Sequence, residues 1–247
     1  MITKMDINGI PVEAYFHEED IEGIFQPLLQ KLAGLQKEKA RRLIVMIAAP
    51  PGAGKTTFAG FLEHLAGETL PGVKVQAVGM DGFHRRQEYL TTHTLVVDGE
   101  EIPMVQVKGA PETFDLEGLR EHIEMASESG TCGWPTYNRH LHNPVEDAIT
   151  IDGDILLIEG NYLLLEEEGW NELAEFADYT ISLRADEKLL RARLIDRKEA
   201  SGNSREAAIK FVDFSDMRNV RRCFEKSKTA DLTLQVREDG RYDRIHV

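Results

Sequence analysis

Apolar residues at Ile21, Ile24, Phe25, Leu28, Leu29, Leu32 and Leu35 recur every three or four positions, so the segment from Glu18 to about Lys39 is expected to be an amphipathic helix. Pro27 marks either its first turn or a break. The next apolar stretch has a different period. Leu43-Ile44-Val45-Met46-Ile47 is rich in β-formers and does not alternate, the pattern of a strand covered on both faces of a parallel sheet. Strands are then expected at Val73–Val78, Ile155–Ile158, Tyr179–Leu183 and Asp231–Val236. Helices are expected to about Ala66, at Leu116–Ser127, near Trp170–Phe176 and at Glu187–Ala200. Alternating strands and helices predict an α/β fold: an open, mostly parallel sheet with helices on both faces, binding its ligands at the carboxyl ends of the strands. Two excursions stand outside this pattern. Ile2 to Phe16 reads as a hairpin turning at Asn8-Gly9, and Tyr89 to Lys108 as a second turning at Asp98-Gly99. The expected division is an N-terminal hairpin and helix appendage over 1–40 and the sheet domain over 41–247.

Charge narrows the partners. With 29 Lys+Arg against 43 Asp+Glu in 247 residues, the net charge of −14 repels polyphosphate backbones, and the basic runs Lys37–Arg42 and Arg218–Arg222 are short. No nucleic-acid partner is expected. Cys132 and Cys223 form no CxxC pair and too few thiols for a disulfide framework, and no apolar run approaches the ~20 residues needed to span a bilayer. A cytoplasmic location without a membrane partner is the expectation, with homodimerisation left open.

The chemistry begins where the first buried strand ends. Ala49-Pro50-Pro51-Gly52-Ala53-Gly54-Lys55-Thr56-Thr57 follows that strand and opens a helix, and it resembles the Walker A loop G-x-x-x-x-G-K-[ST] with Ala49 at the first glycine position. Pro51 to Thr57 are the expected nucleotide contacts. Gly52 and Gly54 let backbone N–H groups close on phosphate oxygens, Lys55 neutralises them, and the Thr56 hydroxyl is suited to Mg2+. The substitution at Ala49 matters only if that position needs a positive φ. No Asn-Lys-x-Asp string for guanine or Leu-Ser-Gly-Gly-Gln signature follows, so an ATP-dependent kinase or a small ATPase switch remains.

Two acids sit at the carboxyl ends of expected strands. Asp81, in Met80-Asp81-Gly82-Phe83-His84, can accept an acceptor hydroxyl's proton or hold the metal; otherwise it is a turn residue before Gly82. Glu159 closes Ile155–Ile158 at the position from which an acid reaches Mg2+. On the helix at Glu187–Ala200, Arg193 and Arg197 share one face and would serve as a lid over the phosphates, while Arg191 points elsewhere. The alternative is a surface face paired with Asp186, Asp196 and Glu199.

With these pieces in order the chain resembles the phosphoribulokinase, uridine kinase and bacterial pantothenate kinase family of P-loop kinases, over about Arg42 to Leu234. Met80–His84 is similar to the family's strand-end aspartate motif, which implies Asp81 as the base. Lys108-Gly109-Ala110-Pro111-Glu112-Thr113-Phe114-Asp115 resembles the pantothenate kinase segment K-G-x-P-E-S-[YF]-D. Pro135-Thr136-Tyr137-Asn138 followed by His142 is similar to the uridine kinase string P-x-Y-D…H, although Asn138 replaces its acid and Pro144 its arginine. Ile158–Leu164 with Gly169-Trp170 looks most like the nucleoside/nucleotide kinase or fructose-transport-system kinase branch.

The resemblance implies a P-loop NTPase fold and ATP with Mg2+ as cofactors. It also implies direct transfer to a hydroxyl of a small nucleoside-, sugar- or pantothenate-like acceptor. Lys55, Asp81, Arg193 and Arg197 would be catalytic, and Asp81, His84, Tyr137, His142 and Glu159 would line the acceptor, with Thr56, Glu159 and Asp81 at the metal. A nucleotide-dependent ATPase switch without a small acceptor is the alternative. Cys132, His140 and His142 offer a three-ligand metal spacing with no partner to orient it, and Trp134 and Trp170 read as packing residues.

Overall fold

The computed structural model describes residues 1–7, 10–128, 130–138 and 141–245, and of residues 4–7 and 10–12 the backbone alone. Strands β1 (Ile2–Ile7) and β2 (Ile10–Tyr15) pair antiparallel from Ile2↔Tyr15 to Ile7↔Ile10. The expected Asn8-Gly9 turn between them lies outside the described residues. A helical run opens as α1 (Glu18–Asp20), widens into a π turn at Ile21–Phe25 and continues as α2 (Gln26–Lys39). Pro27 lies in the first turn of α2, so of the two roles expected for it the chain uses the first.

β3 (Leu43–Ala48) is followed by α3 (Lys55–Thr69), β4 (Val75–Gly79) and a 3-10 turn at Met80–Phe83. Then come α4 (Gln87–Thr92), the hairpin β5 (Thr94–Val97) with β6 (Glu100–Pro103), and α5 (Leu116–Ser127). A second hairpin, β7 (Cys132–Asn138) with β8 (Asn143–Ile151), leads into β9 (Ile155–Gly160), a 3-10 turn at Trp170–Phe176 and β10 (Tyr179–Ala185). The chain ends with α6 (Glu187–Ala200), α7 (Arg205–Phe211), a π turn at Val212–Asp216, α8 (Met217–Lys226), β11 (Leu232–Val236) and β12 (Tyr242–Ile245).

One six-stranded sheet carries the order β12-β11-β10-β3-β9-β4, parallel throughout except for the antiparallel edge strand β12. β3 is central because both of its faces are apolar. Leu43, Val45 and Ile47 pack with Phe58, Phe61, Leu190 and Leu194 on one side, while Ile44 and Met46 pack with Leu119, Ile123 and Trp134 on the other. The strand after α3 starts at Val75 rather than Val73 because the Val73 N–H is engaged in a turn with the Leu70 carbonyl. The Asp98-Gly99 turn of β5–β6 forms as expected, with φ of 53° and 86° at its two residues.

The N-terminal helix shares this core. Phe25, Leu29 and Leu32 are fully buried in the cluster that holds β3 and α3, and the Phe25 ring lies 5.6 Å from those of Phe58 and Phe61. The expected boundary at residue 40 therefore runs through one packed layer. Replacing Phe25 by Ala should cost about 3–5 kcal/mol in chemical denaturation; a loss below about 1 kcal/mol would show that the segment rides on the sheet without sharing its core.

The basic runs are engaged with acids rather than displayed as a patch. Arg41 pairs with Asp178, Arg218 with Asp98, and Arg222 with Glu112 and Glu167. Arg222 holds the Glu167 carboxyl down at about 2 against the cost of its partial burial. Among the described residues no helix is long and apolar enough to cross a membrane.

Candidate active site

The phosphate loop leaves the carboxyl end of β3 and closes at the first turn of α3. Gly52 and Gly54 have φ of 84° and 88°, whereas Ala49 is not among the residues with positive φ, so its methyl group is tolerated. Gly52 is also a point of close approach: a Cβ there would stand 3.1 Å from Leu194 Cγ and 3.3 Å from the Leu190 carbonyl of α6. Pro51 and Ala53 are buried beneath the loop, and Lys55, Thr56 and Thr57 are half-buried on the N-terminal turn of α3.

Glu159, only 5% exposed, closes β9 in register with Ile47 of β3 and Gly79 of β4. The Thr56 hydroxyl donates to its Oε1 at 2.9 Å. A side chain at Gly79 would place its Cβ 2.8 Å from that same oxygen, so the bare glycine of β4 leaves room for the carboxylate. Two residues further along β4 the 3-10 turn presents Asp81, half-buried. Strands β3, β9 and β4 thus bring the loop, Glu159 and Asp81 to one end of the sheet. Thr56, Glu159 and Asp81 supply hard oxygen donors there, in keeping with Mg2+, which binds through one or two carboxylates plus substrate phosphates. Among the described residues no group of three or more His, Cys, Asp or Glu could hold a metal by itself. His140, of the Cys132–His142 spacing, lies outside the described residues.

The wall facing Asp81 comes from the loop at Lys108 and the β7–β8 hairpin. His84 Nδ1 donates to the Asp81 carbonyl at 2.8 Å, so that nitrogen carries a proton, and the ring lies 5.0 Å from that of Tyr137. Tyr137 OH accepts from Lys108 Nζ at 2.7 Å, and the same ammonium donates to Gln87 Oε1 at 2.9 Å and the His142 carbonyl at 3.3 Å. His142 is exposed, with φ of 52°, and it is its carbonyl that meets Lys108. The segment KGAPETFD forms the frame for that lysine. Gly109 takes a φ of 103°, its N–H donates to Thr113 Oγ1 at 3.0 Å, Thr113 Oγ1 donates to the Ala110 carbonyl at 2.7 Å, and Tyr162 OH donates to the Gly109 carbonyl at 2.5 Å. Both tryptophans pack: Trp134 is fully buried with Nε1 donating to the Gly79 carbonyl at 3.0 Å, and Trp170 lies edge-on to Tyr162.

Helix α6 lies along the phosphate loop, anchored by Leu190 and Leu194 in the core. Arg193 Nη1 approaches the Gly52 carbonyl loosely, at 3.5 Å. Arg197 is exposed and acts on buried Asp216 and on Lys198. Arg191 turns away to pair with Asp213. Of the acids in the surface-face alternative, Asp186 caps the helix through the Lys188 N–H and Glu199 pairs with Arg205.

The profile of the Phosphoribulokinase / Uridine kinase family matches residues 44–241. The chain belongs to this family. Phosphoribulokinase / Uridine kinase family members are ATP-dependent kinases acting on alcohol groups. The chain is 40% identical over 243 residues to the "Uncharacterized protein YggC" of Escherichia coli (strain K12), covering 98% of each chain. It is 28% identical to a pantothenate kinase of Ligilactobacillus salivarius, over 73% of this chain and 62% of that one. Among solved structures it is similar to a "putative fructose transport system kinase" from Silicibacter sp. TM1040, with a TM-score of 0.76, 28% identity, and coverage of 85% of this chain and 98% of that one.

Within this family frame, Lys108 and Gln87 are the site-wall residues that sequence reasoning passed over. Lys108 had a signal, since it heads the KGAPETFD segment. Gln87 had none, because only folding brings α4 against Lys108.

Proposed function

We propose that the protein is a Mg2+-dependent ATP phosphotransferase that phosphorylates a hydroxyl of a small metabolite. The observation that carries this is the Thr56–Glu159 hydrogen bond beside the phosphate loop, with Asp81 delivered next to it by the adjacent strand. Lys55 and the loop amides hold the β- and γ-phosphates of ATP; Mg2+ bound through Thr56, Glu159 and Asp81 would neutralise phosphate charge. The acceptor oxygen bonds to the γ-phosphorus as the bond to the β,γ-bridging oxygen breaks, and the hydroxyl proton passes to the Asp81 carboxylate. Arg193 and Arg197 on α6 meet the charge on the transferring group, and the approach of α6 excludes the water that would otherwise take the phosphoryl group.

The test is a coupled ADP-release screen over nucleosides, ketoses, phosphorylated pentoses and pantothenate, with products identified by mass. ADP is expected in proportion to one phosphorylated product. ADP released with free phosphate whichever acceptor is supplied would instead mark an ATPase switch.

A further inference from the structure

The wall at Lys108 carries positive charge that no carboxylate of the described residues pairs with. Lys108 is held by three neutral oxygens. Lys198 of α6 sets its ammonium over the face of Phe211, 3.5 Å from the ring centroid, again without an ion pair among the described residues. The two lysines lie within electrostatic reach of one another, and Lys108 is pulled below the ordinary lysine value by burial and then by Lys198. The acid facing Lys198, Asp216, is itself pushed upward by burial.

A second observation comes from beyond Gly109. A cavity of about 140 Å3 lies between the β5–β6 hairpin, Val107, Ala110 and α8, and the ion pairs Arg218–Asp98 and Arg222–Glu112 stand in its wall. Ser215 and Asn219 line it, each 2% exposed, and Ser215 Oγ and Asn219 Nδ2 have no hydrogen-bond partner among the described residues. Buried polar atoms of this kind cost stability unless something satisfies them. Here they adjoin a loop whose lysine faces Tyr137.

We propose that the acceptor is an anionic metabolite whose carboxylate or phosphate lies against Lys108 and Lys198 and whose further polar atoms satisfy Ser215 and Asn219. This rests on the kinase function proposed above and narrows it to acids and phosphate esters over neutral nucleosides and sugars. The cations supply attraction that a neutral acceptor cannot use, and a bound anion removes the repulsion between the lysines.

The experiment uses the whole protein with Mg·ATP and matched pairs of acceptors: glycerol and glycerate, ribose and ribose 5-phosphate, pantothenol and pantothenate. Phosphorylation is expected for anionic members, and the glycerate and ribose phosphate arms separate carboxylate from phosphate. Lys108→Gln and Lys198→Gln should each raise KM for the preferred anion about 10- to 100-fold, the loss of one charge-assisted hydrogen bond. Lys198→Arg should restore it to within about threefold, since it keeps the charge. Ser215→Ala supplies a readout that a structural role would not give: the free protein should melt no lower, because an unsatisfied buried group is removed, while acceptor KM rises about tenfold.

Equal use of a neutral partner, or an unchanged KM in the two Gln variants or in Ser215→Ala, overturns the inference and leaves the kinase reading standing. So does a panel in which no anion is phosphorylated or raises the melting temperature alongside a non-hydrolysable ATP analogue. ADP with free phosphate throughout overturns the kinase reading itself.

Discussion

Asp81→Asn should lower turnover about a thousandfold, the scale of losing a positioned general base, while affinity for ATP stays within about threefold, since nucleotide binding rests on residues of another strand. The side chain differs by one atom and keeps its volume, so the 3-10 turn at Met80–Phe83 and the His84 contact with the Asp81 carbonyl should survive; that contact uses the backbone of residue 81. What disappears is a carboxylate able to accept the acceptor's proton. Single-turnover product formation with a fluorescent nucleotide titration in parallel separates the two effects. Turnover equal to that of the natural protein would sink the assignment of Asp81 as base. A matching loss of ATP binding would instead show that Asp81 acts chiefly through its contact to the metal rather than as the base.

Much of this arrangement was legible in the chain. The continuous apolar runs at Leu43–Ile47 and Ile155–Ile158 identify strands buried on both faces, and glycines and acids at their carboxyl ends mark where such a sheet places chemistry. Helices α5 and α6 were readable to their ends because their apolar spacing is regular. The β7–β8 hairpin was not, because Gly133, Pro135 and Pro144 read as loop residues and the pairing carries an irregularity between Trp134 and Thr136. Edge strand β12 was missed for a related reason: Tyr242–Ile245 is short and half polar, and it is specified by β11, against which it pairs. The place of α2 in the main core was hidden in another way. An amphipathic stripe shows that a helix has an apolar face and does not say what covers it. In the site, the loop residues and both acids were marked by position. The hydrogen bond between Gln87 and Lys108 joins elements apart in sequence, which no local pattern records.

Gly82→Ala should damage both stability and catalysis, although the residue carries no functional group. The fold brings the Asp81 turn and the Tyr137 strand together at this position. A Cβ at residue 82 would lie 2.1 Å from the Pro135 carbonyl oxygen and 2.4 Å from its carbon. Both are backbone atoms, so no side-chain rotation relieves the clash. The cause is close approach alone, since Gly82 is not among the glycines with positive φ. Either the 3-10 turn or β7 must move, and each choice changes the spacing between Asp81 and the Lys108–Tyr137 wall. Overpacking of this kind costs about 1–3 kcal/mol, and a displacement of about 1 Å between reacting groups costs on the order of a hundredfold in rate. Denaturation midpoints and kcat/KM should therefore fall together. Gly67→Ala is the control: it lies in α3 with nothing within 4 Å of its added Cβ, and it should hold or raise stability by up to about 1 kcal/mol with kcat/KM unchanged. A Gly82→Ala protein as stable and as active as the Gly67→Ala control would show that the two walls of the site are not locked together at this glycine.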